Sequence, residues 1–295
     1  MTVRHAAVAE VREALMSATD ALRAIGVEDP RLDAEVLLAE AMEADRAEIA
    51  ANPEAEIPAA AARRFGEMVR RRLRREPVAY IVGRKGFRHI ELAVDRRVLI
   101  PRPETELLVE VALELRPRRV LDVGTGSGAI ALAIADELPD CEVVATDTSA
   151  AALEVARANA ERLGFADRVS FLEGSLPPSG EFELTLANLP YVAETEWASL
   201  QPEVTEWEPR EALLAGPDGL DAIRAFLAEH RVRLSPRQSR RKTKSAVDWV
   251  ALEVGEGQAA TVVDLLREAG FGNVETRRDL AGTPRVVVGR RVVAP

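Results

Sequence analysis

Two short segments hold the residues whose types and spacing could do chemistry. One is the loop Asp122-Val123-Gly124-Thr125-Gly126-Ser127-Gly128, and the other is the tetrapeptide Asn188-Leu189-Pro190-Tyr191. Glycine permits positive φ and lets a ligand approach the backbone closely. The helical pattern that follows the loop opens with unpaired N–H groups. A dinucleotide loop asks for Gly-x-Gly-x-x-Gly. Here the spacing is Gly-x-Gly-x-Gly, with Asp122 just ahead of it. A carboxylate at that place suits amino or hydroxyl groups rather than phosphate. This favours S-adenosylmethionine, which has no phosphate and carries a sulfonium and an ammonium. Asp122, Gly124, Thr125, Gly126, Ser127 and Gly128 are therefore expected at the cofactor. Asp147 ends the next strand, Val144-Ala145-Thr146-Asp147. A carboxylate there can accept both ribose hydroxyls, a geometry that nicotinamide enzymes share. It could equally cap the helix that begins near Ala150.

The tetrapeptide follows an apolar run, Phe182 to Ala187. An amide nitrogen is a poor nucleophile because its lone pair is delocalised into the carbonyl. Two acceptors at its N–H bonds would fix its plane and aim it at an electrophilic methyl. The Asn188 side-chain oxygen and the backbone carbonyl of Leu189 are suited to that task. Pro190 locks φ and stiffens the turn, and Tyr191 offers a flat face to a planar substrate. Catalysis of this kind is mostly positioning. Asn-x-Pro is also ordinary turn chemistry; the glycine loop upstream tilts the reading toward methyl transfer onto a planar nitrogen.

The elements that must position these segments are legible in the periodicity. Residues 1–76 are Ala-rich and helical: Val11, Leu15, Ala18 and Leu22 recur at helical spacing, a second helix includes Leu32 to Leu38, and a third carries Phe65, Met68, Val69 and Leu73. Residues 77–105 change character. Ala79 to Gly83 and Phe87 to Val94 suggest a hairpin or short strands, and Pro101 and Pro103 interrupt regular structure before a helix from Glu106 to Leu115. From 106 to 295 helix and strand signals alternate, with strands expected at 119–123, 142–146, 169–172, 182–187, 248–254, 274–277 and 285–289. That alternation implies an α/β domain with a mostly parallel sheet wrapped by helices.

Composition narrows the alternatives. The chain has 295 residues, 47% hydrophobic, and a formal net charge of -10. That charge opposes a general grip on nucleic acid, whose affinity rests on neutralising phosphates. The single cysteine, Cys141, permits no disulfide framework within the chain and is expected to be a buried thiol. No metal-ligand set is expected. No run approaches the length of a membrane span, and no secretory signal follows Met1, so a cytoplasmic location and no membrane partner are expected. Arg231 to Lys244 is densely basic and is expected to form a loop. The arginine-rich stretch from Arg63 to Arg75 is the best support for a rival reading, an adenine methyltransferase acting on DNA or RNA.

The chain resembles the release-factor glutamine methyltransferases over nearly its whole length. The marks are Asp33 to Leu38, Arg75 to Gly83, Leu99-Ile100-Pro101-Arg102-Pro103-Glu104-Thr105-Glu106, the glycine loop, and Asn188 to Tyr191. The resemblance implies a seven-stranded Rossmann-like class I methyltransferase domain behind a small N-terminal helical bundle that engages the release factor. It implies methylation of the side-chain amide of the glutamine in that factor's Gly-Gly-Gln loop. Gly124 to Gly128 would line the cofactor, Asp147 would hold its ribose, and Asn188, Leu189, Pro190 and Tyr191 would hold the glutamine, with Asn188 also near the cofactor methyl. Arg102 and Glu104 would order the pocket from the linker. A monomer is expected. Three departures stand out. Leu189 replaces a proline, Ser175-Leu176 stand where an acidic residue often approaches the adenine, and Arg231 to Lys244 replaces a short turn. A non-catalytic cofactor-binding accessory protein is the third reading that these departures leave open.

Overall fold

The computed structural model describes residues 10–176, 181–233 and 247–292. The Pro177-Pro178 loop, residues 234–244 of the basic stretch and the first nine residues lie outside these. In chain order the first helices are α1 (Val11–Ala24), α2 (Pro30–Met42), α3 (Arg46–Ala51), α4 (Ala59–Arg72) and α5 (Val78–Val82). The hairpin β1 (Arg84–Phe87) and β2 (Ile90–Ala93) follows, then α6 (Glu106–Leu115). The alternating part runs β3 (Arg119–Val123), α7 (Ala129–Glu137), β4 (Glu142–Asp147), α8 (Ala150–Leu163), β5 (Val169–Glu173) and β6 (Leu184–Ala187). The chain ends with α9 (Pro202–Trp207), α10 (Asp221–Arg233), β7 (Val247–Glu253), α11 (Ala259–Glu268), β8 (Gly272–Arg278) and β9 (Pro284–Val292).

Two compact units result. The helical unit comprises residues 10–83 and, from much later in the chain, Pro202–Trp207. Its core is Val11, Leu15, Ala18 and Leu22 of α1 against Leu37 and Leu38 of α2 and Phe65 of α4. Arg64 closes the end of α2 by donating to the Ala41 carbonyl at 2.5 and 3.1 Å, which satisfies a carbonyl the helix leaves open. Residues 78–82 are a helical turn, not the strand expected from their apolar, β-branched composition. Pro77 starts the turn, and Arg71 donates to the Tyr80 and Ile81 carbonyls at 3.3 and 3.2 Å. Those side-chain bonds replace the ladder that a strand would need, and the hairpin begins only at Arg84.

The second unit, 84–201 with 208–292, is built on a seven-stranded sheet of order β5-β4-β3-β6-β7-β9-β8. Strands β3 to β7 pair in parallel and β9 runs antiparallel between β7 and β8. The inner parallel strands β3, β4 and β6 are buried on both faces, which explains near-continuous apolar runs such as Leu184–Ala187, whereas the edge strand β5 is largely exposed. The strand order reverses at β3, with β4 on one side and β6 on the other. Open α/β sheets bind ligands at that reversal, outside the carboxyl ends of the strands.

Candidate active site

The register of β3 with its two neighbours brings the chemistry together. Val123 lies opposite Thr146 on β4 and opposite Ala187 on β6. One residue further on, Gly124, Asp147 and Asn188 emerge side by side at the carboxyl edge. Gly124 has φ +74°, and a Cβ there would meet the Asn188 backbone oxygen and Leu189 Cδ2, each at 3.4 Å. The glycine thus lets the two loops touch.

A cavity of about 330 Å³ opens at this edge, within the range of small-ligand sites. Gly124, Gly126, Asp147, Ser175, Leu176, Asn188, Leu189 and Pro190 all line it. Its charged lining residues are Arg97 against Asp147, Glu211 and Glu229. That balance disfavours phosphate and suits a ligand with cationic centres. A larger, more open cavity of about 520 Å³ lies in the helical unit, around Val27, Pro30 and Leu32. It holds none of the glycine-loop or tetrapeptide residues.

Asp147 is held for an accepting role. Its Oδ2 receives the Gly126 N–H at 2.9 Å and its Oδ1 the Ser149 N–H at 2.8 Å. Each oxygen retains a further lone pair. Ser149, not Asp147, caps α8, accepting from the Ala152 N–H. Asp122 takes a different place from the one its sequence position implied. It is fully buried below the loop, with Oδ2 accepting the Thr125 hydroxyl at 2.6 Å. Burial pushes its pKa up to about 7, against the lowering effect of Thr125. Its Oδ1 has no partner among the described residues. Thr125, Ser127 and Gly128 likewise shape the loop without lining the cavity. Asn159 of α8, unremarked in the sequence, donates to the Ser127 carbonyl at 3.0 Å and exchanges two bonds with Ala93 of β2, and so fixes the loop from below.

The Asn188 side chain lines the cavity and donates its Nδ2 to Thr105 Oγ1 at 3.0 Å. Leu189 forms wall rather than plug: it packs on the apolar core beneath the sheet edge as well as facing the cavity. Tyr191 departs from expectation. Its hydroxyl donates to Glu253 Oε1 at 3.4 Å, its carbonyl accepts Gln258 Nε2 at 2.8 Å, and it does not line the cavity. Burial raises its pKa, and the Glu253 charge adds to that. A Cβ on Gly219, which has φ +75°, would fall 2.2 Å from the Tyr191 carbonyl, so only glycine permits this turn. The tetrapeptide is thus clamped from several sides; sequence reasoning gives Thr105 only as part of the two-proline segment and assigns no site role to Glu253, Gln258 or Gly219. Glu253 did leave a signal, an acid closing the apolar run Trp249 to Leu252.

The linker segment contributes through buried pairing. Glu208 accepts the Ile100 N–H at 3.0 Å and pairs with Arg102, while Val98 and Leu99 line the cavity. At the opposite end the Ser175 hydroxyl donates to Glu229 Oε2 at 2.7 Å. Glu229 of α10 thus places a carboxylate beside Ser175 at the cavity. Cys141 is free and buried. Among the described residues no cluster could hold a metal ion, and no helix is long and apolar enough to cross a membrane.

The sheet order, the loop after β3 and the turn after β6 define a Rossmann-like methyltransferase. The catalytic domain of hMettl16, solved in complex with MAT2A 3'UTR hairpin 6, shares this fold at a TM-score of 0.53 and 18% identity, over 69% of this chain and 78% of that one. The PrmC N-terminal domain model matches residues 13–83 and the Methyltransferase small domain model matches residues 103–202. The chain is 44% identical to the release factor glutamine methyltransferase of Xylella fastidiosa strain Temecula1, over 88% of this chain and 93% of that one. It is 39% identical to that of Koribacter versatilis strain Ellin345, over 95% and 98%. The chain belongs to the release factor glutamine methyltransferase family.

Proposed function

We propose that this chain transfers a methyl group from S-adenosylmethionine to the side-chain amide nitrogen of the glutamine in the Gly-Gly-Gln loop of peptide chain release factors. The observation that carries the reading is the adjacency of Gly124, Asp147 and Asn188, set by strand register. The cavity fits the cofactor. Its size, its excess of carboxylates and the anchored Asp147 suit a phosphate-free nucleoside with a sulfonium. Asp147 would hold the ribose hydroxyls and the Gly124–Gly126 backbone would lie against the amino-acid end. Ser175, Leu176 and Glu229 would frame the adenine.

Bound there, S-adenosylmethionine supplies an electrophilic methyl on sulfur. The Asn188 side-chain oxygen and the Leu189 carbonyl would accept the two N–H bonds of the substrate carboxamide, fix its plane and present its nitrogen to the methyl donor. Transfer would leave the amide nitrogen cationic, and it would then lose a proton to solvent. No strong base is needed early. Pro190 and the clamped Tyr191 keep the turn rigid, which is where an effective-molarity gain arises. We assign docking of the release factor to the helical unit, whose Met16, Ile25 and Leu32 side chains are exposed.

The test offers labelled S-adenosylmethionine with purified release factor, with DNA and RNA, or with no acceptor. Label on the Gly-Gly-Gln glutamine is the expected result. Label on nucleic acid, or cofactor binding without transfer, would overturn the reading.

A further inference from the structure

We propose that Gln258 is a positioning residue for methyl transfer: its side-chain amide locks the Tyr191–Val192 peptide plane and so fixes the direction of the Leu189 carbonyl. The proposal rests on the acceptor role given to that carbonyl above. Gln258 stands just before α11, 67 residues past Tyr191. Its amide joins three loops of the sheet unit. Nε2 donates to the Tyr191 carbonyl at 2.8 Å and to the Asp218 carbonyl at 3.4 Å, and Oε1 accepts the Gly255 N–H at 2.9 Å. Two carbonyls and one N–H decide which end of the amide is which, because a flipped amide would oppose like with like at all three partners. A Cβ on Gly219 would lie 2.7 Å from its Nε2, and one on Gly255 would lie 3.0 Å from its Oε1, so both loops are shaped around this side chain.

A peptide unit is planar, so the Tyr191 carbonyl and the Val192 N–H point from opposite edges of one plate. Gln258 holds one edge. The Leu213 carbonyl holds the other, accepting the Val192 N–H at 2.8 Å. The Val192 carbonyl is tied in turn, accepting the Ala215 N–H at 3.0 Å. Upstream, β6 ends at Ala187, which its pairing with Val123 and Leu252 fixes. Asn188, Leu189 and Pro190 span the gap between these two fixed ends, and Pro190 removes one torsion by locking φ. The Leu189 carbonyl, unlike that of Tyr191, accepts no hydrogen bond among the described residues. It is aimed by the segments on either side, not by a bond of its own. Without Gln258 the plate is gripped on one edge only. Tyr191 can then shift, and the Leu189 carbonyl loses one of the two ends that aim it. Misplacement by about 1 Å can cost up to about 100-fold in rate. Gln258 does not line the cavity, so cofactor affinity should not follow the rate.

The experiment uses the full chain with Gln258→Met and Gln258→Glu. Rates are expressed per S-adenosylhomocysteine-binding site, so that misfolded chains do not count. Methionine keeps the shape of the side chain and loses its hydrogen bonds. Glutamate keeps an acceptor for the Gly255 N–H and sets its second oxygen against the Tyr191 and Asp218 carbonyls. Gln258→Met should lower kcat toward release factor about 10–30-fold, with the S-adenosylhomocysteine Kd within about threefold, and Gln258→Glu should lower kcat further. Variants that keep the wild-type kcat, variants that lose cofactor affinity in step with rate, or a glutamate variant faster than methionine would each overturn the proposal. Carbonyl-13C tyrosine labelling adds a readout free of turnover. The chain has two tyrosines, Tyr80 and Tyr191, and Tyr80→Phe tells their signals apart. The Tyr191 carbonyl signal should move in Gln258→Met while that of Tyr80 stays; a Tyr191 signal that stays would overturn the clamp even where the rate falls. If Gln258→Met does not fold, Gln258→Glu carries both readouts. A wild-type chain that methylates no release factor would overturn the functional reading and this proposal with it. An active wild type whose variants match it would overturn this proposal alone.

Discussion

In the helical unit the buried Arg72 is met by Asp33 at 2.6 Å and by Glu203 at 2.6 Å, and Arg75 takes the other Glu203 oxygen at 2.5 Å. In the sheet unit Asp122 and Glu253 are buried as deeply, yet neither forms an ion pair among the described residues, and each leaves one oxygen without a partner. The first arrangement is what buried charge requires if it is to hold a fold, since desolvation must be offset by close partners. The second destabilises the fold and occurs where local groups need an acceptor, as beneath the glycine loop and behind the Asn188–Tyr191 turn. At Asp33 burial outweighs the bond to Arg72 and raises the pKa. Burial tends to raise Glu203, but its bonds to Arg75 and Arg72 outweigh that and hold it below the ordinary range. Burial dominates at Asp122 and Glu253, and both rise to about 7.

The sharpest way to break the comparison is a pair of substitutions, one in each unit. Asn188→Ala should reduce methyl transfer by about 100-fold or more, a loss of positioning, while calorimetric cofactor affinity stays within a few-fold. Glu203→Ala should do the reverse. It takes one carboxylate from the buried Arg72, which keeps Asp33, and from the partly buried Arg75, and should cost about 3 kcal/mol of stability in denaturant unfolding, with cofactor Kd unchanged. Asp147→Ala should weaken cofactor binding by roughly tenfold, the worth of charge-assisted hydrogen bonds to ribose; equilibrium dialysis would show it.

Smaller effects sharpen the contrast through pH. Below about pH 4.5 Glu253 is protonated in both folded and unfolded chains. Between about 4.5 and 7 the unfolded chain releases a proton that the folded one keeps, so stability falls as pH rises through that window and stays lower above it. Glu253→Gln should remove this part of the slope, up to about 3 kcal/mol, leaving the Asp122 part of the same sign. Glu203 works in the opposite sense: its contribution is present at neutral pH and is lost on acidification. Urea midpoints measured from pH 4 to 8 would separate the two. The smallest expected change is Leu189→Pro, which keeps the backbone carbonyl and should leave kcat within about threefold.

The glycine loop and the tetrapeptide were readable because both depend on backbone behaviour that residue type encodes directly: positive φ in one, a locked φ in the other. The inner strands β3, β4 and β6 were readable because burial on both faces writes continuous apolar runs. What the residue order could not convey was which partner each side chain would find across the sheet. Asp122 and Asp147 each close an apolar strand near the loop, yet the first ends inside and the second at the cavity edge, because Asp147 stands at the open strand tip whereas Asp122 stands one residue short of it. Tyr191 looked like a substrate platform and became a clamp because Glu253, 62 residues on, faces it. Residues 78–82 read as strand because arginine capping of a short helix leaves no periodic trace.

On the proposed function, a substrate carboxamide sits between the Asn188 side-chain oxygen and the methyl-bearing sulfur. A crystal structure of the chain with S-adenosylhomocysteine and a Gly-Gly-Gln peptide tests it most directly. The glutamine amide nitrogen is expected within hydrogen-bond reach of Asn188 Oδ1, on the side that faces the sulfur, with Asp147 on the ribose. A glutamine bound elsewhere, or an Asn188 whose NH2 points into the cavity with peptide bound, would contradict it.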